Sequence, residues 1–527
     1  MHSSVWLSAL LFVPVLGAII AQLVRRIEGR AYLVAVATAV VELALSAVVA
    51  VLYNPSVAHA QGFDFAYRLV LSAPLGLAYD VAVDGISLWL VVLTALTALI
   101  ALLAARDRRN EASYVTWQLL LLGITMGCFV THDLLEFFIY FELILIPCYF
   151  MMTQWGGEQR KAAAMKFFLY TFTGSAFMLI ALIFLAITHQ HQVGGNLTFA
   201  YGALAQTALS SSTATWIFVG MALAFAVKSP IWPLHTWSPS TYAEAPAATG
   251  IVLAALLSKL GSYGLLRFAV GLLPSALSTV RPVVLTLAVI SILYGSLVAC
   301  TAKDLRRFIA YSSLAQMGFV TLGVMSGSRI GTEGAVLLML NHGIITIGVF
   351  VLVGYLERRQ LSGRLAALRG LQGPMPVLAG LFTLFMLATM GLPGLNGFVS
   401  EYLILIGTFG THAWWALAAT LGVVGSAVYW LWAYQRAFHG PVSADHAALT
   451  DVTTSERLAL VPIAALVIVL GVLPQTVLHR IDPAVSNLIT HVAPSGVSKR
   501  PCTLPPLTTW PSSPSSCWWA RPPCCSS

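Results

Sequence analysis

Five ionisable side chains stand inside apolar runs that would ordinarily exclude them: Glu142, Lys228, Lys259, His342 and Glu401. A charge placed at mid-bilayer costs about 2.5–3.5 kcal/mol on insertion scales, so such residues mark ion or proton pathways. Loss of water penalises the charged form of carboxylates and ammonium groups alike, which brings both within reach of proton exchange near neutral pH. Pairing Lys228 with Glu142 would restore both charges, and making and breaking that pair is a two-state switch. Lys259, His342 and Glu401 extend the set into a relay. Blander roles compete: an ion pair that only locks two helices, or a histidine that only bonds a carbonyl. Glu42 reads as structural or interfacial, and Asp133 and Glu136 lie close enough to the outer boundary to be solvated. No cluster of Arg, Asn or Gln lines a site for a larger substrate, and sodium would want several oxygens together.

Two helix breaks must position these groups. One follows Lys228 in Ala-Val-Lys228-Ser-Pro230-Ile-Trp-Pro233, where each proline removes a donor and clashes with the preceding turn. The other is Gly391-Leu-Pro393-Gly394-Leu-Asn-Gly, just before Glu401. Freed backbone at membrane depth survives only where protein or a wet cavity satisfies it. The breaks fall in the seventh and twelfth helices. An offset of five reverses orientation, so helices 4–8 and 9–13 read as two inverted five-helix repeats, the usual pointer to a transport site.

The carrier of these elements is an all-α polytopic membrane protein. Of 527 residues, 58% are hydrophobic and 9% charged, against about 25% charged in soluble domains. Apolar runs long enough to cross a ~30 Å hydrocarbon layer recur along the chain. About fourteen helices are expected: 5–23, 31–53, 84–105, 114–131, 134–153, 165–188, 214–233, 247–269, 282–300, 306–325, 333–356, 375–408, 413–435 and 457–474. The net charge of +8 does not indicate nucleic acid, because the basic residues cluster between spans as topology determinants do. Loops after odd-numbered helices, such as those with Arg106, Arg108 and Arg109 or Lys303, Arg306 and Arg307, hold eighteen Lys and Arg, whereas even-numbered loops hold five, Arg267 and Arg281 among them. The positive-inside rule then places the odd loops in the cytoplasm and both termini outside.

The expected organisation is helices 1–3 with an external loop (1–110), a first repeat (111–270), a second repeat (281–436), a loop with helix 14 (437–493), and an atypical tail (494–527). That tail, rich in Pro, Ser, Cys and Trp, has the look of a frame-shifted or disordered end. Cys128, Cys148 and Cys300 lack metal-ligand spacing, and the other four, Cys502, Cys517, Cys524 and Cys525, lie in the tail. No metal site, disulfide framework or glycine-rich nucleotide loop is expected.

Several long motifs resemble the antiporter-type membrane subunits of respiratory complex I. They are Asp133-Leu-Leu-Glu-Phe-Phe-Ile-Tyr-Phe-Glu142 through Pro147, Trp155-Gly-Gly, Lys166 through Thr171, Phe225-Ala-Val-Lys228 through His235-Thr-Trp237, Glu244-Ala-Pro246, Lys259-Leu-Gly-Ser-Tyr-Gly-Leu-Leu-Arg267, Ala310-Tyr-Ser-Ser313 and Asn341-His342-Gly343. The likeness spans roughly residues 80–435. It is best to the M-type branch, the fourteen-helix proton-pumping subunit of NADH:quinone oxidoreductase, because the position of Glu401 is commonly lysine in the sister subunits.

This resemblance implies that Glu142 and Lys228 form a modulating pair and that Lys259 and Glu401 continue a hydrated axis. It also implies that this chain holds no cofactor: NADH, flavin, iron–sulfur clusters and quinone would belong to partner subunits. Partners would be other membrane subunits, with antiporter-like neighbours on both sides, and the lipid bilayer. His235, Glu244 and Gln316 are further relay candidates. Two departures stand out: Ser240 and Tyr242 replace an acid and a histidine after Trp237, and Gln316 stands where the family often has histidine. The alternatives are a subunit of a multi-subunit sodium/proton antiporter, a subunit of a membrane-bound hydrogenase-type complex, or a structural scaffold.

Overall fold

At membrane depth a backbone must satisfy its hydrogen bonds internally, and a continuous run of Leu, Val, Ile, Ala and Phe does so as a helix. The computed structural model describes residues 4–106, 111–361, 363–442 and 446–492. Residues 1–492 form one unit. Arg108, Arg109, the tail and its four cysteines lie outside the described residues.

In chain order the main elements begin with α1 (Ser4–Leu23), α2 (Arg30–Leu52), the strands β1 (Asp64–Ser72) and β2 (Leu77–Val83), α3 (Leu88–Ala104) and α4 (Ala112–Val130). There follow α5 (Leu134–Trp155), α6 (Arg160–Val193), α7 (Ser211–Lys228), α8 (Ala247–Val270) and α9 (Pro274–Thr301). The chain continues through α10 (Leu305–Met325), α11 (Arg329–Arg358), α12 (Pro376–Thr389), α13 (Asn396–Phe438), α14 (Thr454–Val472) and α15 (Gln475–Val492). Among the described residues, twelve helices are long and apolar enough to cross a membrane, and α3 and α12 are shorter apolar helices. The 43-residue α13 leaves helical geometry at His412 (φ −142°, ψ 64°), close to the gap expected between 408 and 413.

Two elements lie outside the sequence-based expectation. Where an external loop was expected, β1 and β2 form an antiparallel hairpin, turned through Gly76. The apolar residues of these short strands are consecutive, as in Leu69-Val70-Leu71 and Val81-Ala82-Val83, so no period-two alternation marks them. Helix α15 is amphipathic: its buried residues, Val477, Leu478, Ile481, Val485 and Leu488, recur every three to four positions and never form a continuous apolar run.

Burial divides the helices into two sets. The most hydrophobic windows of α8 and α11 are buried all round, and that of α10 almost so, while the remaining spans keep large apolar side chains such as Leu16, Ile180, Leu297 and Leu458 on the outer surface. The enclosed helices carry Lys259, Gln316 and His342.

Candidate functional site

The first break is where the sequence places it. Helix α7 ends at Lys228, and regular helix resumes only at Ser238–Glu244. Pro230 and Pro233 bring no N–H, so other groups close the gap. Ile231 N donates to Ala226 O (2.9 Å) and Trp237 Nε1 to Val227 O (2.8 Å). The Ser229 hydroxyl joins Ser258 O and Ser262 Oγ, each at 2.9 Å, fastening the break to α8. Gly261 makes this approach possible, since a Cβ there would lie 2.4 Å from Phe225 O.

Lys228 is fully buried. Its Nζ donates to Phe141 O (2.9 Å) and lies 4.1 Å from the centre of the Phe141 ring. Among the described residues, no ion pair joins it to Glu142. The half-buried Glu142 shares its side of α5 with the exposed Ile139, Leu143 and Ile146. Its Oε1 has no hydrogen-bond partner. The two residues are thus brought near, on α5 and α7, with the lysine held one residue short by a carbonyl.

Lys259 sits in a short α-helical stretch between two π-helical segments of α8, Leu253–Leu257 and Leu265–Val270. Wide turns of this kind release carbonyls and recur at functional sites. Lys259 Nζ donates to Ala254 O (2.8 Å) and Ser258 Oγ (3.1 Å), and meets His342 Nδ1 at 2.7 Å. An ammonium has three donors and no acceptor, so this set satisfies it completely and makes Nδ1 the acceptor. The ring proton then belongs on Nε2, which faces Thr346 Oγ1 at 3.4 Å, while that hydroxyl donates to His342 O. His342 therefore engages the Lys259 side chain and does not simply bond a carbonyl.

The second break runs from Met390 to Leu395, between α12 and α13. Gly391 (φ +76°) and Gly394 (φ +92°) turn the chain on either side of Pro393. A Cβ on Gly391 would fall 2.8 Å from Glu401 Oε2, so the glycine gives the carboxylate its place. Gln316 Nε2 donates to Glu401 Oε1 (2.8 Å) and lies 3.3 Å from Thr389 O, spanning both sides of the break. Gln316 therefore holds the Glu401 carboxylate in place by a hydrogen bond. Asn341, beside His342, donates to Asn396 O (2.8 Å), and Asn396 Nδ2 returns a bond to Asn341 Oδ1 (3.2 Å). Sequence reasoning noticed the Asn341-His342-Gly343 motif but not that its asparagine anchors the break.

The remaining relay candidates are set apart from these groups. His235 is buried edge-on to Tyr294 and near Tyr311, with no partner for Nδ1. Lys166 Nζ caps the adjacent carbonyl of Thr236 (2.6 Å). Glu244 accepts from Gln159 N (2.9 Å) and lines a cavity of about 610 Å³ with Trp155, Arg306, Phe350 and Glu357. Arg306 binds both oxygens of Glu357 at 2.6 Å and the carbonyls of Tyr242 and Ala245, tying α10 and α11 to the loop before α8.

Several charged groups differ from expectation. Arg267 is no loop residue: it lies in α8, buried, in an ion pair with the equally buried Asp84. Asp133 is buried, not solvated, and its Oδ1 caps α5 by accepting from Leu135 N and Glu136 N. Burial pushes the Asp133 carboxyl up to about 6. Glu136 accepts from Asp80 N and Thr131 Oγ1, both at 2.9 Å. Glu42 is enclosed among the helices, with neither oxygen hydrogen-bonded, so it is not at the surface of the chain.

Fold and site together define a multi-pass membrane protein whose buried ionisable groups flank broken helices, as in ion-translocating subunits. Comparison with known proteins narrows this class. Residues 131–428 match the family described as "NADH:quinone oxidoreductase/Mrp antiporter, TM". The chain is 39% identical over 423 residues to NADH-quinone oxidoreductase subunit M of Rhodobacter capsulatus, covering 79% of this chain and 83% of that one. It is 35% identical over 535 aligned positions to subunit M of Mycobacterium tuberculosis, covering 93% and 95%. Among solved structures it resembles a chain of respiratory complex I from Thermus thermophilus with a TM-score of 0.84 at 31% identity, covering 92% of this chain and 100% of that one. A chain of the Mrp complex from Dietzia sp. shares the fold alone (TM-score 0.76, 21% identity, covering 92% and 99%). The chain belongs to the NADH-quinone oxidoreductase subunit M family, the antiporter-like proton-translocating subunits of complex I.

Proposed function

We propose that protons cross this subunit by way of Glu142, Lys228, Lys259, His342 and Glu401, with the breaks at Pro230 and Pro233 and at Gly391, Pro393 and Gly394 supplying the movable backbone. The observation that carries this reading is the Lys259–His342 contact of 2.7 Å at the centre of the enclosed helices. A proton leaving Lys259 has an acceptor in place, and the released carbonyl of Ala254 steadies the charged form before transfer. Lys228 held on Phe141 O, away from Glu142, is one position of the switch. Swinging to the carboxylate is the other, and it would alter the field felt by Lys259.

Helices α4–α8 and α9–α13 act in this reading as inverted halves, the repeats of residues 111–270 and 281–436. The arginine-rich loops face the cytoplasm and both termini face outward across the bacterial inner membrane. Other membrane subunits flank the chain, antiporter-like ones on both sides. NADH, flavin, iron–sulfur clusters and quinone are held by partner subunits, whose redox chemistry supplies the ~2.3 kcal/mol needed to move one proton against 100 mV.

The test is Glu142→Gln and Lys228→Ala in the assembled complex. Each should cut proton translocation and coupled quinone reduction while leaving assembly intact. Normal pumping by either variant removes that residue from the switch. Co-migration with an NADH-oxidising band on native gels tests the assignment of partners.

A further inference from the structure

At the end of the molecule where the β1–β2 hairpin lies, arginines meet acids. Arg68 pairs with Asp80, Arg267 with Asp84, and Arg329 with Glu333 and Asp482. Arg281 stands at the same end, near the start of α9, and differs. Among the described residues no ion pair or hydrogen bond reaches its guanidinium, and its Nε is buried without an acceptor. A guanidinium stays charged at any pH the cell meets, so burying part of it unpaired is costly unless something outside this chain relieves it.

Three segments build its surroundings. The guanidinium lies over Gly327, in the turn between α10 and α11, where a Cβ would fall 3.1 Å from one terminal nitrogen and 3.3 Å from the other. That turn is tied to α13: Thr411 Oγ1 donates to Ser326 O at 2.8 Å, and a Cβ on Gly407 would strike Gly331 N. His412 comes next, at the point where α13 leaves helical geometry, and its Nε2 is also buried without a partner. Arg281 stands close enough for its charge to act on that imidazole. Trp415, edge-on to His412 with ring centres 5.8 Å apart, donates Nε1 to Thr286 Oγ1 on α9 at 3.1 Å. Two nitrogens with no acceptor therefore share one corner, and the positive end of the α11 dipole opens on the same turn.

The missing acceptor is anionic, and the rim of the corner says which anion. Helices α9 and α13 carry exposed apolar side chains around it: Val283, Phe409, Trp414 and Leu417. Exposed tryptophan marks the membrane–water boundary, and basic corners between spans there meet lipid headgroups. We propose that Arg281 and His412 bind the phosphate of a phospholipid in the leaflet at the hairpin end, its acyl chains lying along the exposed faces of α9 and α13. The guanidinium offers Nε and one terminal nitrogen to two phosphate oxygens, the fork geometry that suits this group. His412 donates Nε2–H to one of them. The lipid then bridges α9 to the bend of α13 and satisfies both orphan nitrogens.

The assembled complex is reconstituted in phosphatidylcholine vesicles that carry one of two probes with identical diazirine-bearing acyl chains: a phosphatidylglycerol or an uncharged galactosyl diacylglycerol. After irradiation, adducts are mapped by mass spectrometry on residues 277–290 and 405–417. The reference is the stretch of α6 where Phe172, Phe177 and Ile180 are exposed. Relative to that stretch, phosphatidylglycerol should label the corner at least about tenfold more than the galactolipid. Arg281→Gln should remove the preference and His412→Ala should reduce it about fivefold. Arg281→Lys, which keeps the charge and loses the fork, should fall between wild type and Arg281→Gln. Equal labelling by the two probes in the wild type refutes the proposal, because hydrocarbon alone would then cover the corner. A preference that survives Arg281→Gln refutes it as well. If the corner is unlabelled and Arg281→Gln sheds a neighbouring subunit on native gels, an acidic side chain of that subunit is the partner and the lipid assignment is overturned. Should a variant fail to assemble, the two-probe comparison in the wild type decides.

Discussion

Replacing Asn341 by alanine tests whether the second break is held by one side chain from α11. In the structure its amide donates to Asn396 O at 2.8 Å and lies 3.3 Å from Ser400 Oγ, and its carbonyl oxygen receives Asn396 Nδ2 at 3.2 Å. Truncation does not orphan everything. Ser400 Oγ still donates to Asn396 O at 3.1 Å, so that carbonyl keeps a partner. The Asn396 amide is left with only a 3.5 Å approach to Asn341 O, and its own Oδ1 is already unpaired. The loss is therefore close to one buried donor, about 1–3 kcal/mol. At about 2 kcal/mol the opened break becomes roughly thirtyfold more populated. Hydrogen exchange followed by mass spectrometry reads this directly, because Leu392 N is bonded to Leu387 O in the last turn of α12 and Leu395 N to Leu392 O, bonds that the opened break would lose. Their exchange should accelerate by that factor, with pumping reduced and assembly retained. Thr346→Val, which touches His342 but not the break, is the control and should leave these amides alone. Unchanged exchange at residues 390–396 in the Asn341→Ala complex would refute the reasoning, since the break would then be held by packing.

Gly391→Ala should lower coupled turnover without loss of assembly. The new Cβ occupies the space of Glu401 Oε2 on a backbone at φ +76°, costing about 1–2 kcal/mol in conformation alone, and it drives the carboxylate off Gln316. Proton pumping by vesicles checks this, and a normal rate would mean Glu401 works from another position. At the hairpin end, Asp133 has its carboxyl raised to about 6 by burial, facing Arg68, Asp80 and Glu136. Folding there favours the protonated acid, so the cost of its charge is full above pH 6 and is relieved as pH falls toward 4, by at most about 3 kcal/mol. Asp133→Asn keeps the Oδ1 cap and removes that dependence. Thermal inactivation of wild-type membranes should slow between pH 7.5 and 5, whereas the variant should show a shallower slope over the same range, the part Asp133 contributes being lost.

Spacing along the chain determined a good deal of this protein by itself. Apolar runs fixed which segments become helices, because a bilayer gives an unpaired backbone no other partner. Pro230, Pro233, Gly391 and Pro393 fixed where helices stop, since the loss of an N–H or the need for positive φ is a local matter. Lys228, Lys259 and Glu401 announced themselves because a charge in an apolar run is costly wherever the run ends up. The hairpin and α15 were quieter, the strands' apolar residues coming in runs too short to read and those of α15 every third to fourth, and both were drowned by the spans around them.

Tertiary structure alone decided which side chains meet. That Lys259 reaches His342 across 83 positions, that Gln316 holds Glu401, and that Asn341 pins Asn396 depend on how α8, α10, α11 and α13 pack. The expected Lys228–Glu142 pair gave way to a bond with Phe141 O, because a carbonyl freely placed one residue away satisfies the same ammonium. Arg267 shows the limit most clearly: it stands in the last turn of an expected span, where topology markers fall, yet a buried aspartate 183 residues earlier holds it inside the protein. Local sequence states what a residue cannot tolerate, and only the fold supplies the partner that relieves it.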